Sequence, residues 1–173
     1  MSITILKRGH IMLIYELLEN DHRIVLSALD SIEATMDADL REEIFHFMRT
    51  ELTIHSKAEE EVLYKPLMNL GRKKLLLEGS FDDHDEIEDL MMNIEDLSAK
   101  QDEWLDKVLE LRYLIEQHVD KEETEVFSLS REMFSDRKAK EIAGRMMAEK
   151  GKLAMENPFA LIGRKFKEMR ERY

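Results

Sequence analysis

The chain has 173 residues, enough to bury one sizeable core with little room for a second domain. Its 38 acidic residues outnumber 26 basic ones, and the resulting formal charge of -12 repels nucleic acid and anionic membranes. Cysteine is absent, which excludes disulfides, thiolate nucleophiles and iron–sulfur clusters and leaves any metal to nitrogen and oxygen ligands.

No run of about 18 apolar residues occurs, and Met1 to Lys7 is too short for a signal peptide before the Lys7-Arg8 pair. The expectation is a cytoplasmic protein without nucleic-acid or membrane partners. Two prolines and six glycines in a chain rich in Glu, Leu, Lys, Met and Ala are what long helices require, and strand-like alternation never persists. The chain reads as all-α.

The first helix is expected from about Gly9 to Thr35, with Ile14, Leu18, His22, Val25, Leu29 and Ile32 in its core stripe. Asp37-Ala38-Asp39 supplies a connection and a cap, and a second helix then runs from Leu40 through His55, Glu59 and Leu63 toward Pro66. After a reset at Met68 to Gly71, the third stripe carries Leu77, His84, Ile87, Met91 and Ile94, and Gly79-Ser80 either bends this helix or marks a late start. A connection at Ser98 to Asp102 leads to the fourth stripe of Leu105, Val108, Leu111, Ile115, His118, Glu122, Val126 and Leu129, ending near Ser130. A fifth helix, capped by Ser135 or Asp136, is expected to pack through Ile142 and Met146 and to stop at Gly151. The division is thus a bundle with a fifth helix over 1–156 and a tail helix over 157–173, whose Phe159, Leu161, Ile162 and Phe166 dock on the bundle or on a partner subunit.

Four histidines, His22, His55, His84 and His118, fall in the apolar stripes, one on each of the first four helices. Counted from the connections, their heights in an up-down antiparallel four-helix bundle agree to within about one 5.4 Å helical turn. Glu59 and Glu122 each follow a histidine by four residues, so two helices offer an imidazole and a carboxylate on one face. Burying two carboxylates costs several kcal/mol per ion unless positive charge compensates. Four imidazoles and two bridging carboxylates suit two metal ions with an oxo or hydroxo bridge and an open position. The nitrogen and oxygen donors favour two iron ions, with manganese or zinc as substitutes. The competing explanation is a polar core in which the same rings hydrogen-bond the glutamates.

These residues resemble the hemerythrin-like, or HHE cation-binding, family. The matching pieces are Leu18-Glu-Asn-Asp-His22, the stretch from His55 through Glu59 to Tyr64-Lys-Pro66, His84-Asp-Glu-Ile, and His118-Val-Asp-Lys-Glu122-Glu123. The resemblance implies that His22 and His55 ligate one iron, His84 and His118 the other, and that Glu59 and Glu122 bridge them. The oxygen-carrying members have a fifth histidine where this chain has Glu88. A four-histidine site resembles the sensor and iron-handling branches, including iron–sulfur cluster repair proteins, which usually carry a cysteine-containing domain absent here.

Glu88 is left as a weak extra ligand, an acceptor behind the ligands or a solvent-facing residue. His10 lies three turns from His22, His46 is expected at the surface, and Asp21, Glu60 and Glu123 read as solvated groups or as supports behind the ligands. Tyr64 either packs over the site or caps one end of the core. Trp104 is too near a connection to line the metal layer, and the methionines read as core filling. No metallopeptidase, phosphate-loop or nucleophile-elbow motif occurs. The leading expectation is a non-haem di-iron protein that binds or responds to dioxygen, nitric oxide or peroxide. The sequence leaves open an enzyme reducing peroxide or nitric oxide, an iron donor or repair protein, and a homodimer or partner contact through the C-terminal segment.

Overall fold

The computed structural model describes residues 12–71 and 73–156, so His10, Ile11 and the expected tail helix over 157–173 lie outside the described residues. The first helix, α1 (Ile14–Ala34), starts where Glu16 reaches back to accept from the Leu13 N–H at 2.8 Å. The second, α2 (Ala38–Glu59), is capped by Asp37, whose Oδ1 accepts from the Asp39 and Leu40 N–H groups at 3.0 and 3.2 Å. That contact satisfies donors left orphaned in any first helical turn.

From α2 the chain passes through a π turn, Glu60–Tyr64, into α3 (Lys65–Asn69). The second rod thus runs through Pro66 to Asn69, within the reset expected at Met68 to Gly71. The proline lies in the first turn of α3, where its missing N–H is tolerated and its ring meets the relaxed geometry of the π turn. Gly71, at φ 71°, and Lys73, at φ 46°, reverse the chain into α4 (Lys74–Glu95), which runs straight through Gly79 and Ser80. The fourth rod is α5 (Asp102–Lys121), a second π turn at Glu122–Val126, and α6 (Phe127–Met133), a few residues longer than expected.

The fifth rod, α7 (Asp136–Glu156), begins with the Ser135 hydroxyl accepting from the Lys138 N–H at 3.3 Å. It continues through Gly151, contrary to the expected stop. Glycine inside a helix costs only about 0.5–1 kcal/mol relative to alanine, and continuation packs Leu153 against the core.

Around the bundle, α1 packs on α2 and α4 on α5, α2 meets α4 and α5 closes on α1, while α7 lies against α1, α2 and the first π turn. The architecture is an up-down all-α bundle with an added C-terminal helix. Its core has two apolar halves. The distal half gathers Leu29, Ile32, Phe45, Met48, Ile94, Trp104 and Leu111. The proximal half gathers Ile14, Leu18, Leu63, Tyr64, Phe127 and Ile142, the last from α7. Between them each of the four rods contributes one histidine, and the second and fourth rods add a glutamate, all buried.

Candidate metal centre

The structure brings together all six residues expected from the sequence. His22, His55, His84 and His118 are at most 5% exposed, and Glu59 and Glu122 are fully enclosed. They form two clusters, His22–His55–Glu122 and Glu59–His84–His118, each with its ligand atoms within 4.8 Å of one another. The carboxylates span the clusters. Glu59 Oε2 lies 3.8 Å from His55 Nε2 and 3.6 Å from His84 Nε2, and Glu122 Oε2 lies 3.0 Å from His22 Nε2 and 3.7 Å from His118 Nε2. Each glutamate thus faces both histidine pairs, as a bridging ligand must.

A ring of outer carboxylates fixes which nitrogen points inward. The Nδ1–H of His22 donates to Glu123 at 2.8 Å, that of His55 to Asp21 at 3.2 Å, that of His84 to Glu60 at 2.8 Å, and that of His118 to Asp83 at 3.4 Å. An ionised carboxylate only accepts, so every Nδ1 carries a proton, and in the neutral imidazole, the form that binds metal, the Nε2 lone pair faces the interior. This is the arrangement that orients imidazoles for metals. The ring closes around the bundle: the acid behind the histidine of α2 comes from α1, that behind α4 from the start of the first π turn, that behind α5 from α4, and that behind α1 from the second π turn. Two lysines anchor the ring from outside, Lys150 of α7 donating to Asp21 at 2.7 Å and Lys121 pairing with Asp83.

The interior atoms decide between a metal site and a polar core. His22 Nε2, His55 Nε2 and all four oxygens of Glu59 and Glu122 are buried without a hydrogen-bond partner. His84 Nε2 and His118 Nε2 face each other at 3.2 Å, and with both protons on Nδ1 two lone pairs meet there. Adjacent nitrogens bound to one metal at about 2.1 Å stand about 3 Å apart. So many orphaned polar atoms would be unfavourable by about 1–3 kcal/mol each, and cations between the clusters satisfy all of them. The donor set fits two metal ions better than a hydrogen-bonded polar core.

Electrostatics without a metal show the same tension. Burial, and then the neighbouring Glu122 charge, push the Glu59 carboxyl well above its usual range. Burial also disfavours the charged form of Glu122, but contacts with Glu59 and His22 outweigh it and hold that carboxyl low. Burial lowers His55 to about 4 despite the opposing Asp21. It lowers His118 as well, whereas at His22 the carboxylates of Glu122 and Glu123 overcome burial and raise it. Neutral imidazoles and deprotonated acids are the forms a metal needs.

Both π turns begin beside the two bridging glutamates. The wider turns close with bonds from the Lys65 N–H to the Glu60 carbonyl and from the Phe127 N–H to the Glu122 carbonyl, and such bulges concentrate at functional positions. They place Tyr64 flat against His84, ring centroids 5.5 Å apart with 20° between planes. Glu88 turns to solvent and pairs with Lys57 at 3.9 Å, outside both clusters. His46 is 47% exposed beside Glu95, as expected of a surface residue. Trp104 lies in the distal core, away from the centre. Sequence reasoning missed Asp83, Lys121 and Lys150. A signal for Asp83 was present: an acid flanks one ligand on every rod, before it in Asp21-His22 and Asp83-His84 and after it in Glu59-Glu60 and Glu122-Glu123.

Four helices that each supply a histidine, with two glutamates shared between the pairs, define a nitrogen–oxygen metal-binding bundle. The profile of the hemerythrin HHE cation binding domain matches residues 13–130, and the chain belongs to that family. It is 28% identical over 142 residues to a protein of Nostoc sp. named DNA nickase, a match covering 82% of this chain and 40% of that protein, so the chain spans about two fifths of its relative's length. A crystal structure of a hemerythrin HHE cation binding domain-containing protein from Mycobacterium kansasii superposes with a TM-score of 0.73 at 22% identity, covering 87% of this chain and 98% of the other. That likeness shows the shared fold.

Proposed function

We propose that this protein is a non-haem di-iron protein that binds or responds to a small oxidant or diatomic ligand, namely dioxygen, nitric oxide or peroxide. The reading is carried by the inward Nε2 lone pairs and orphaned glutamate oxygens that converge from four rods. Iron suits this imidazole-rich, thiolate-free donor set, and when bound it supplies redox-active open coordination. The chain's own contribution is orientation and exclusion. The outer carboxylates lock each ring, and the apolar halves of the core keep bulk water away. With all six ligands at most 5% exposed, only a ligand of a few atoms reaches the layer.

The activity named for the Nostoc protein is not carried over, because the formal charge of -12 opposes binding of a polyanion. Anaerobic reconstitution with ferrous iron tests the proposal. The expected result is two irons per chain and, on exposure to oxygen, the absorption spectrum of an oxo-bridged pair; one iron or none overturns it. Nicking of supercoiled plasmid by the loaded chain would restore the reading taken from the relative.

A further inference from the structure

Tyr64 is enclosed completely, and its hydroxyl is the one buried hydroxyl among the described residues without a hydrogen-bond partner. Its ring is held by stacking on His84 and by an edge contact with Phe81 at 5.4 Å and 78°. Those contacts need only a phenyl ring. A phenylalanine would keep them and avoid burying an unsatisfied polar group. The hydroxyl is close enough to the Glu59 carboxylate and the Ser80 hydroxyl to interact with both, but in neither case within hydrogen-bonding geometry, and Ser80 already donates to the Leu76 carbonyl at 3.2 Å.

The two clusters are unequal in this respect. Beside His22, His55 and Glu122 no described side chain presents a buried hydroxyl without a partner. The other tyrosine of the proximal core, Tyr15, is satisfied by Ser130 at 3.2 Å. Only the Glu59–His84–His118 side therefore has an uncommitted donor in a pocket closed to water.

We propose that the Tyr64 hydroxyl donates a hydrogen bond to a small anionic or partly anionic ligand taken up on the Glu59–His84–His118 side, making that half of the centre the ligand-binding half. The inference rests on the di-metal reading above. A donor at that position favours ligands whose outer atom carries negative charge, such as azide or a peroxide anion, over neutral carbon monoxide. A hydrogen bond to a charged group in a dry pocket is strong enough to change affinity by about tenfold to a hundredfold.

The test uses the full-length, di-iron-loaded protein with azide as probe, comparing wild type, Tyr64→Phe and, as a control, Tyr15→Phe. The expected result has three parts. Tyr64→Phe keeps two irons per chain and binds azide about tenfold to a hundredfold more weakly, Tyr15→Phe binds it as wild type does, and the azide stretching band of wild type shifts in deuterated water while that of Tyr64→Phe does not. Equal azide affinity with identical, deuterium-insensitive bands overturns the proposal. So does loss of iron from Tyr64→Phe alone, which would assign the hydroxyl to holding Glu59. Failure of wild type to load iron is a different result and counts against the di-metal reading itself.

Discussion

The distal half of the core and the metal layer are both buried and drawn from the same four rods, yet they are built on opposite principles. Around Trp104 every enclosed side chain is apolar, and the ring meets Phe45 edge-on at 5.7 Å and 71°. Burial there is favourable without any added component. About three to four helical turns away, the same rods enclose two carboxylates and four imidazoles, and the carboxylate oxygens and the inward nitrogens of His22 and His55 have no hydrogen-bond partner in the protein. The distal half provides stability, and the layer spends part of it on holding donors in place for cations. If this division is right, substitutions in the two regions separate stability from metal binding.

The largest stability effect is expected from Trp104→Ala, which removes an enclosed indole and leaves a cavity, at about 3–5 kcal/mol. For a chain of this length each kcal/mol lowers the melting temperature by about 2–4 °C. Calorimetry of the metal-free variant should show the drop, while protein refolded at low temperature still takes up two irons. Glu59→Gln should do the reverse. It keeps the volume, removes a carboxyl whose ionisation burial disfavours, and leaves the metal-free protein at least as stable as wild type, but iron content falls from two per chain to one or none. A Glu59→Gln variant that melts well below wild type without metal would erase the contrast. The outer ring is intermediate: Asp21→Asn, which leaves His55 without a carboxylate behind it, should weaken metal affinity about tenfold to a hundredfold, measured by competition with a chelator.

The sequence made the bundle and the six inward residues legible because both follow from helical periodicity, which places residues three and four apart on one face. Heights counted from the connections sufficed to bring His22, His55, His84 and His118 into one layer. What it left illegible depends on local departures from that periodicity or on contacts between rods. The π turn after Glu59 carries the chain past Pro66 and lays Tyr64 over His84, and neither event follows from spacing at 3.6 residues per turn. Gly151 looked like a terminator because a capping glycine and an interior glycine are identical in sequence; the packing of half-buried Leu153 against the core distinguishes them. Lys150 lies 129 positions from Asp21, and only the docking of α7 reveals that a charge on the fifth helix reaches the acid behind His55.

The smallest effect expected is a proton, and it probes the layer most directly. Without metal, burial and the charge of Glu122 raise the Glu59 pKa well above its usual value, so this carboxyl keeps its proton at pH values where an exposed glutamate has lost it. A bridging ligand must be deprotonated, so metal uptake releases that proton. In the window between the usual glutamate pKa and the raised one, apparent metal affinity should therefore climb with pH by up to about tenfold per unit and flatten once Glu59 is already ionised. The sign also holds for folding. A carboxyl raised on folding stabilises the metal-free bundle at low pH, and this contribution fades as pH rises through the raised value, while the metal-loaded protein is weakened by acid instead. Titration of metal into weakly buffered protein with a pH dye should record the release in wild type and about one proton fewer in Glu59→Gln. Equal release from both would mean that the proton never sat between the rods, and that the layer and the distal core differ less than their side chains suggest.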